Sequence, residues 1–448
     1  MSDTAKNTPL ILAPAGNKAA FLAALAAGAD AIYCGLKQFS ARMQAKNFSL
    51  DELSRLVRLA HAQNTHVYIT LNTLLTNADL DQIGRMLALL ARQVRPDAVI
   101  VQDLGMIELV RQTGFKGEVH LSTLANVSSL EALQYLRQNL KVSRVVLPRE
   151  LNVDEIKMLA HACPPDLKLE VFIHGALCYG VSGRCYWSSY LGGKSGLRGR
   201  CVQPCRRRYT HEAHSRRSFA CQDLSLDVLV KVLKSIPAVN TWKIEGRKKG
   251  PHYVYYVVQA YRLLRDHGQE PQRKKEALAL LDYALGRATT HYNFLPQRPQ
   301  PAVPSGKPTG SGLFIGRVRG SQRNPYFIPR EALMPGDVLR IGYEDDAWHQ
   351  VKRLKQAIPA KGKLHLRSPA GKAPRKSTPV FLVDRRAKDL EALLDGLERE
   401  LDLIQTPAIS RSAFKVRLPQ RLKATSKTLR LRVHRPPMPK KATGATGL

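Results

Sequence analysis

The sequence predicts an α/β protein whose larger part is a TIM-type (β/α)8-like barrel. From Leu10 to about Gly268, short β-branched segments alternate with amphipathic segments whose apolar residues recur at helical spacing. Eight strand and helix units in roughly 250 residues match such a barrel, because an open doubly wound sheet usually has fewer strands and a glycine fingerprint after the first of them.

The strands of the predicted barrel are, in order, LILAPAG, DAIYCG, HVYITLN, DAVIVQD, EVHLST, VSRVVLPR, LEVFIHG and TWKIEG. Helices are predicted between them, among them FLAALAAGA, LDELSRLVRLAHAQ, LDQIGRMLALLARQV, LEALQYLRQNL and VDEIKMLAHAC. Functional side chains of such a barrel lie at the carboxyl ends of its strands. The polar residues expected there are Asn72, Gln102, His120, Ser122, Arg149, His174 and Glu245.

A small β-barrel domain and a basic tail are predicted after the large barrel. The stretch LPQRPQPAVPSGKPTGSG is typical of a linker. GLFIGRVRG, YFIPREA, GDVLRIGYE, HQVKRLK, KLHLRS and PVFLVD are predicted to be short strands. A helix, AKDLEALLDGLERELDLI, precedes a tail that we expect to be disordered. The predicted boundaries are 1–290 for the large barrel with its cysteine-rich insertion, 291–311 for the linker, 312–386 for the small β-barrel, and 387–448 for the helix and tail.

The charge of the chain predicts a polyanionic partner. Its 448 residues include 70 Lys and Arg against 36 Asp and Glu, a formal net charge of +34. Such a surface attracts RNA, DNA or anionic lipid, and nucleic acid is the partner we expect first. A basic host proteome or simple solubility charge is the alternative. The amino terminus lacks a basic segment followed by an apolar run, and no stretch of about 18 apolar residues occurs, so we expect a cytoplasmic protein without a membrane partner.

Five of the seven cysteines lie close together in the sequence. A disulfide framework is not expected in a reducing cytosol. Each iron of an iron–sulfur cluster takes a soft thiolate ligand, and glycine-rich loops between the cysteines can fold around such a bulky inorganic core. The pattern therefore predicts an iron–sulfur cluster. The five cysteines are Cys178, Cys185, Cys201, Cys205 and Cys221.

Two other interpretations of these thiols remain. Structural zinc uses the same ligands, but only CVQPC has the tight pair usual in zinc sites. Unligated buried thiols are the third interpretation. Cys163, at the end of an amphipathic segment, is expected in the core. Cys34, at the tip of the second strand, could supply or replace a cluster ligand.

The segment EVFIHGALCYGVSGRCYWS resembles the signature of the collagenase-like peptidase family U32. The segments LAPAGN, GADAIYCG, HLSTLANVSS, RGRCVQPCRRRY and KIEGRKKGPHYV are also similar to that family. Trp187 stands where an aliphatic residue is usual, and Leu124 where the family more often has Gln. Ser225 stands where a Cys is common, whereas Cys221 lies four residues earlier. The resemblance implies cluster ligation by Cys178, Cys185, Cys201 and Cys221, with Cys205 competing for the fourth position.

The resemblance also implies a class of reaction. The first family members were described as collagenases, but related members are similar to oxygen-independent hydroxylases that act on tRNA uridine, a cytidine of 23S rRNA, or ubiquinone precursors. Such enzymes are thought to carry a 4Fe-4S cluster and to take the hydroxyl group from prephenate. Because the chain is so basic, we expect hydroxylation of a 23S rRNA cytidine first and of a tRNA uridine second. A collagenase-like peptidase and a ubiquinone-type hydroxylation factor are the alternatives. Electron-transfer or iron–sulfur assembly proteins are further expected partners.

Candidate residues follow from this hypothesis. His174, Arg184 and Glu245 are the candidate catalytic residues, and Arg149, Lys243 and Arg247 are expected to bind a carboxylate donor. RNA contact is expected from Arg206, Arg207, Arg208, Tyr179 and Trp187, with further help from Arg216 and Arg217.

Each of these assignments has a structural alternative. His174 could orient the cysteine loop by a hydrogen bond, Arg184 could pair with Glu170, and Glu245 could pair with Arg247. The aromatic rings could shield the cluster from water. For a peptidase, the sequence offers no GxSxG or HExxH motif, and HEAH and GGKSG are taken as chance matches.

Overall fold

The computed structural model describes residues 8–417 apart from 213, 304–311, 344–347, 367–372, 386, 407 and 410–412. The second part of the predicted linker and the predicted disordered tail from residue 418 onward lie outside the described residues. Residues up to Val416 form one compact unit. The predicted domain boundaries within that unit stay predictions.

Eight parallel strands form a closed barrel, and all eight were predicted. They are β1 (Leu10–Pro14), β2 (Ala31–Gly35), β3 (His66–Leu71), β4 (Ala98–Val101), β5 (Glu118–Leu121), β6 (Arg144–Val146), β7 (Lys168–Ala176) and β11 (Val239–Ile244). Three short strands lie between β7 and β11 in the chain and outside this ring: β8 (Tyr209–His211), β9 (His214–Arg216) and β10 (Asp223–Ser225). From β1 to β7 each strand pairs with the next, and β11 pairs in parallel with both β7 and β1. This ring confirms the TIM-like fold class.

Helices surround the barrel. They are α1 (Lys18–Ala26), α2 (Leu50–Ala62), α3 (Leu80–Leu89), α4 (Gly105–Gln112), α5 (Leu130–Leu140), α6 (Val153–His161), α7 (Trp187–Gly192), α8 (Val230–Lys234), α9 (Pro251–His267), α10 (Pro271–Tyr283) and α11 (Lys388–Leu403). Side-chain caps fix several starts: Ser49 accepts from the Glu52 amide at α2, and Asn152 and Glu155 form a capping box at α6. Among the described residues, no helix is long and apolar enough to cross a membrane.

A separate antiparallel sheet of half-barrel form follows the large barrel. Before it in the chain, β12 (Thr289–Thr290) extends the barrel sheet beside β10. The strands of the separate sheet are β13 (Leu313–Arg319), β14 (Tyr326–Phe327), β15 (Val338–Ile341), β16 (Gln350–Arg353), β17 (Leu364–His365) and β18 (Pro379–Asp384). The order across the sheet is β16-β15-β18-β13-β14-β17. Arg385 ties this sheet to the large barrel, because it pairs with buried Asp337 at 2.7 Å and donates to the Tyr283 hydroxyl at 2.6 Å.

Charged side chains fill part of the barrel interior. Glu170 on β7 is fully buried, and its Oε1 lies 2.7 Å from Nζ of Lys243 on β11. Arg144 on β6 lies 3.7 Å from the other oxygen of Glu170. The Lys243 ammonium also lies 4.4 Å from the centre of the Tyr33 ring. Lys243 and Arg144 therefore face the same buried carboxylate, and Arg144 also lies 3.8 Å from Glu118.

Candidate active site at the barrel mouth

A long insertion covers the carboxyl-terminal end of the barrel. We call residues 177–222, between β7 and β10, the cysteine excursion. Its backbone is held by the loops that follow other barrel strands. The side-chain amide of Gln44 donates to the Cys201 carbonyl oxygen at 3.1 Å, and the backbone amide of Ser182 donates to the Glu150 carboxylate at 2.7 Å. The excursion is therefore fixed on the face where functional groups of such barrels lie.

Two glycines of the cysteine excursion are required by its close approach to the barrel loops. A Cβ atom on Gly183 would lie 2.0 Å from the Leu124 carbonyl oxygen, and one on Gly199 would lie 2.2 Å from the Ser40 carbonyl oxygen. Both residues have positive φ angles, of 69° and 75°. A larger residue at either position would push the excursion away from the barrel mouth.

The five clustered cysteines differ in exposure. Cys178 is exposed, Cys185, Cys201 and Cys205 are half-buried, and Cys221 is buried. The thiol of Cys205 is within electrostatic range of those of Cys178, Cys201 and Cys221. Burial, followed by the neighbouring Cys178, raises the pKa of Cys205 to about 11. This thiol is therefore protonated at neutral pH unless a metal displaces the proton.

The clustered cysteines carry the soft ligand type that iron–sulfur clusters use. Among the described residues, no three His, Cys, Asp or Glu side chains meet closely enough to hold one metal ion. Cys185 and Cys201 both border Gly196, where an added Cβ would lie 3.7 Å from the Cys201 Cβ and 4.0 Å from the Cys185 carbonyl oxygen. Thiolates are the soft ligands that iron needs, and the cluster and all of its cysteine ligands stay predictions.

The two remaining cysteines lie elsewhere. Cys34 is fully buried within β2, in the apolar core that also holds helix residues, and burial raises its pKa to about 12. The Cys163 thiol donates to the Leu167 carbonyl oxygen at 3.2 Å, at the end of α6. Cys163 packs against the core, as its position in an amphipathic segment indicated.

Arg206 ties the two ends of the cysteine excursion together. Its guanidinium donates to the Cys221 carbonyl oxygen and, at 2.8 Å, to the Leu177 carbonyl oxygen. Its predicted role in RNA contact is untested, but these bonds give it a structural one. Arg207 and Arg208 are exposed, and Arg208 donates to the Ser215 carbonyl oxygen at 2.8 Å.

Glu245 follows β11 and forms the centre of a polar cluster at the mouth. Its carboxylate accepts from Arg42 at 3.2 Å and from the Tyr33 hydroxyl at 3.2 Å. Burial raises the pKa of Glu245, but the charges of Arg42, Arg247 and Arg149 outweigh burial, so the pKa lies below its usual value. Glu245 is therefore an ionised carboxylate and not a proton donor at neutral pH.

The predicted donor-binding cations separate into two groups. Arg149 reaches the mouth: it donates to Ser182 Oγ at 3.1 Å, and its charge acts on both Glu245 and Cys221. Lys243 lies instead inside the barrel with Glu170. Arg247 is buried and donates to Ser40 Oγ at 2.7 Å, and it does not pair with Glu245 by a hydrogen bond among the described residues. Arg184 is exposed at the edge of the cysteine excursion.

His174 is enclosed by neighbouring side chains. Its Nδ1 lies 3.3 Å from Ser225 Oγ and 3.4 Å from the Tyr261 hydroxyl, and its ring meets the Tyr261 ring edge-on at 5.5 Å. Burial lowers its pKa to about 4. Its predicted catalytic role is untested, while the bond to Ser225 links β7 to β10.

We expect His174 to remain neutral between pH 5 and 8 in the folded protein. Its folded pKa lies below the ordinary value near 6.5, so the unfolded chain binds the proton first as the pH falls, and the contribution of His174 to stability decreases from pH 6.5 toward 4. Deuterium exchange at the imidazole C2 position, followed by mass spectrometry across pH, gives the pKa directly. The urea-unfolded protein is the control, and a folded midpoint near 6.5 would contradict the prediction.

Four aromatic rings form a cluster on the cysteine excursion. Trp187 stacks on Tyr209 at 5.8 Å, and both meet Phe219 edge-on at 5.0 and 5.3 Å. Tyr179 contacts Phe219 at 5.2 Å and stays half exposed. The four rings pack on one another. In sequence, Tyr179 directly follows Cys178, and Phe219 lies two residues before Cys221. They can exclude water from that region and still offer the Tyr179 ring to a base.

Sequence reasoning missed several residues of the mouth. Arg42 lies in the loop between β2 and α2, whose 14 residues, 36–49, are long for such a connection. A long loop at the carboxyl face was the available signal. Tyr209 and Phe219 carried no such signal. Tyr209 stacks on Trp187, 22 residues away in sequence, and Phe219 contacts Tyr179, 40 residues away.

Comparisons with known proteins found one family model and several relatives that match this chain. The model of Peptidase family U32 matches residues 16–303. A tRNA hydroxylation protein of Bacillus subtilis is 33% identical over 297 residues, which are 63% of this chain and 69% of that protein. The 23S rRNA 5-hydroxycytidine synthase of Escherichia coli is 37% identical over 262 residues, 57% of this chain and 39% of the relative. A collagenase of Porphyromonas gingivalis is 33% identical over 270 residues, 56% of this chain and 64% of the relative. The chain thus spans less than two thirds of the last two relatives.

Proposed function

The chain belongs to Peptidase family U32, and on this premise we propose that it is an iron–sulfur-dependent enzyme that hydroxylates a pyrimidine of RNA without molecular oxygen. The observation that carries the proposal is the grouping of five cysteines with Arg42, Arg149 and Glu245 at the mouth of a parallel barrel. Two relatives named for RNA hydroxylation and a net charge of +34 support the choice of RNA.

The proposed reaction exchanges a hydrogen for a hydroxyl group. The base loses a hydrogen and gains the hydroxyl, while the donor loses that hydroxyl and gains the hydrogen, so atoms and electrons balance without oxygen gas. Prephenate is the proposed donor. A 4Fe-4S cluster held by Cys178, Cys185, Cys201 and either Cys221 or Cys205 would supply redox-active iron at this place. Proteins that deliver electrons or assemble the cluster are proposed partners.

The residues of the mouth have separable roles in this proposal. Arg42 and Arg149 offer guanidinium groups that match the carboxylates of a donor in two-point contacts. Glu245 holds Arg42 through its ionised carboxylate and positions it. Tyr33, which donates to Glu245, fixes the carboxylate from the barrel interior. The exposed Arg207 and Arg208 remain available for phosphate contacts.

The test of the proposed function is nucleoside mass spectrometry of rRNA and tRNA from a strain that lacks the gene. We expect one hydroxylated pyrimidine to disappear, with hydroxycytidine of 23S rRNA expected before hydroxyuridine of tRNA. Re-expression of the wild-type gene should restore it, and Arg42→Ala should restore less than about a tenth of it, because the donor loses a charged partner. Unchanged nucleosides in both RNA classes would contradict the proposal.

A peptidase is the second candidate, because one relative carries the name collagenase. A peptidase would cleave gelatin or casein without RNA, and its activity would survive Cys178→Ala if cleavage does not use the cluster. A ubiquinone-type factor would leave RNA nucleosides unchanged on deletion and alter the quinone pool instead.

A further inference from the structure

A cavity opens beside the cysteine excursion, and of the predicted catalytic and donor-binding residues only Arg184 lines it. Its volume is about 480 Å³, which lies within the roughly 300–1,000 Å³ typical of small-molecule sites. It is bordered by the loops that follow β4 and β5, by α5, and by the residues on either side of Cys185. The lining residues that matter here are Gln102, Leu104, Tyr135, Arg184 and Tyr186.

Gln102 gives this cavity an unused hydrogen-bonding group. The residue directly follows β4 and is 6% exposed, and its Oε1 accepts no hydrogen bond within the described part of the chain. Neighbouring Asp103 is already occupied, because its two oxygens accept from the Leu75 and Gly105 amides at 2.9 Å each. A buried amide oxygen without a partner is uncommon and indicates that a ligand or water completes it.

Large apolar side chains at the rim of the cavity stay exposed. Tyr135 is 57% exposed, Tyr186 64% and Leu104 50%. Exposed aromatic rings grouped at a cavity mark a binding site, and RNA-binding proteins stack unpaired bases on such rings. The exposed Arg184 adds a positive charge at the same rim, where the phosphate of a nucleotide would lie.

We propose that this cavity receives one pyrimidine base from single-stranded RNA. The amide of Gln102 has a donor and an acceptor side by side, which match the adjacent donor and acceptor on the pairing edge of cytosine or uracil. Tyr186 stacks on the base, and Arg184 contacts its phosphate. The inference rests on the proposed function and adds the position of the base, next to Cys185 in the chain.

The experiment compares two short RNA strands with the full-length protein. One strand carries a single cytosine, and all of its remaining positions are abasic ribose. The matched strand is abasic throughout. Because both strands carry equal charge, the difference in affinity reports the base alone. We expect the wild-type protein to bind the cytosine strand about 5- to 100-fold more tightly in fluorescence anisotropy, the range of one stacked base.

Matched variants separate the cavity from the rest of the surface. Gln102→Leu and Tyr186→Ala are expected to reduce the difference between the strands to less than about twofold, while Tyr186→Phe keeps it. Tyr190→Ala is the control, since Tyr190 is 87% exposed on α7 and does not line the cavity. Arg184→Ala should weaken the binding of both strands equally.

The proposal is overturned if the wild-type protein shows no preference for the cytosine strand, or if the preference survives both Gln102→Leu and Tyr186→Ala. Tyr186→Ala changes a largely exposed side chain and should fold even if Gln102→Leu does not. The two proposals fail separately: an intact base preference with unchanged cellular nucleosides removes the enzymatic function alone. A missing hydroxylated nucleoside without any base preference removes the cavity alone.

Discussion

Replacement of Cys201 by serine is expected to remove the iron from protein that is purified without oxygen. Cys201 belongs to both proposed ligand sets, and its carbonyl oxygen is held by Gln44, so its thiol is a fixed member of the group. A serine hydroxyl is a much poorer ligand for iron than a thiolate. Iron per chain should fall from about four to less than one, with loss of the visible absorption of the cluster.

Cys163→Ser is the matched control for this experiment, because Cys163 lies at the end of α6 and donates to Leu167. It should keep its iron. Cys205→Ser and Cys221→Ser then decide the fourth ligand: the variant that loses iron identifies it. Equal iron content in the Cys201→Ser and Cys163→Ser proteins would contradict a cluster at this site.

Replacement of Glu170 by alanine is expected to lower the free energy of unfolding by about 3–5 kcal/mol. Glu170 is fully buried and is the carboxylate that both Lys243 and Arg144 face. Its removal leaves the Lys243 ammonium without its carboxylate partner and leaves Arg144 with Glu118 alone, at 3.8 Å, and that cost exceeds the value of the contacts themselves. Urea unfolding of the wild-type and variant proteins measures the change.

Two further variants test the cause of this effect. Glu276→Ala removes an exposed ion pair to Arg273 and should change stability by less than about 1 kcal/mol. Adding Lys243→Met to Glu170→Ala should recover part of the loss, because the charge that lost its carboxylate partner is gone. A Glu170→Ala protein as stable as the Glu276→Ala protein would show that the barrel interior tolerates unpaired cations.

The barrel could be predicted because each of its strands carries its own local signal. Short β-branched segments between amphipathic helices predict parallel strands wherever they occur. The strands β10 and β12 carry no such signal. Asp223 on β10 pairs with Ala176 on β7, and β12 pairs with β10, so both strands depend on contacts distant in sequence.

The candidate site could be predicted in part. The cysteines were evident because they are dense and separated by glycines, and Arg149 and Glu245 because they lie at the carboxyl ends of predicted strands. Lys243 points to the same side of β11 as Glu245 but lies two residues earlier, so its side chain sits deeper in the barrel and pairs with Glu170. Arg42 was missed because a residue in an irregular loop has no period that indicates its direction.

The most direct test of the central claim combines the cluster with the reaction. Wild-type, Cys163→Ser and Cys201→Ser genes are each returned to the deletion strain, and the hydroxylated pyrimidine is measured by mass spectrometry of RNA nucleosides. We expect the wild-type and Cys163→Ser genes to restore the modification and Cys201→Ser to leave it absent. Full restoration by Cys201→Ser, at equal protein level, would contradict an enzyme that works through thiolate-bound iron.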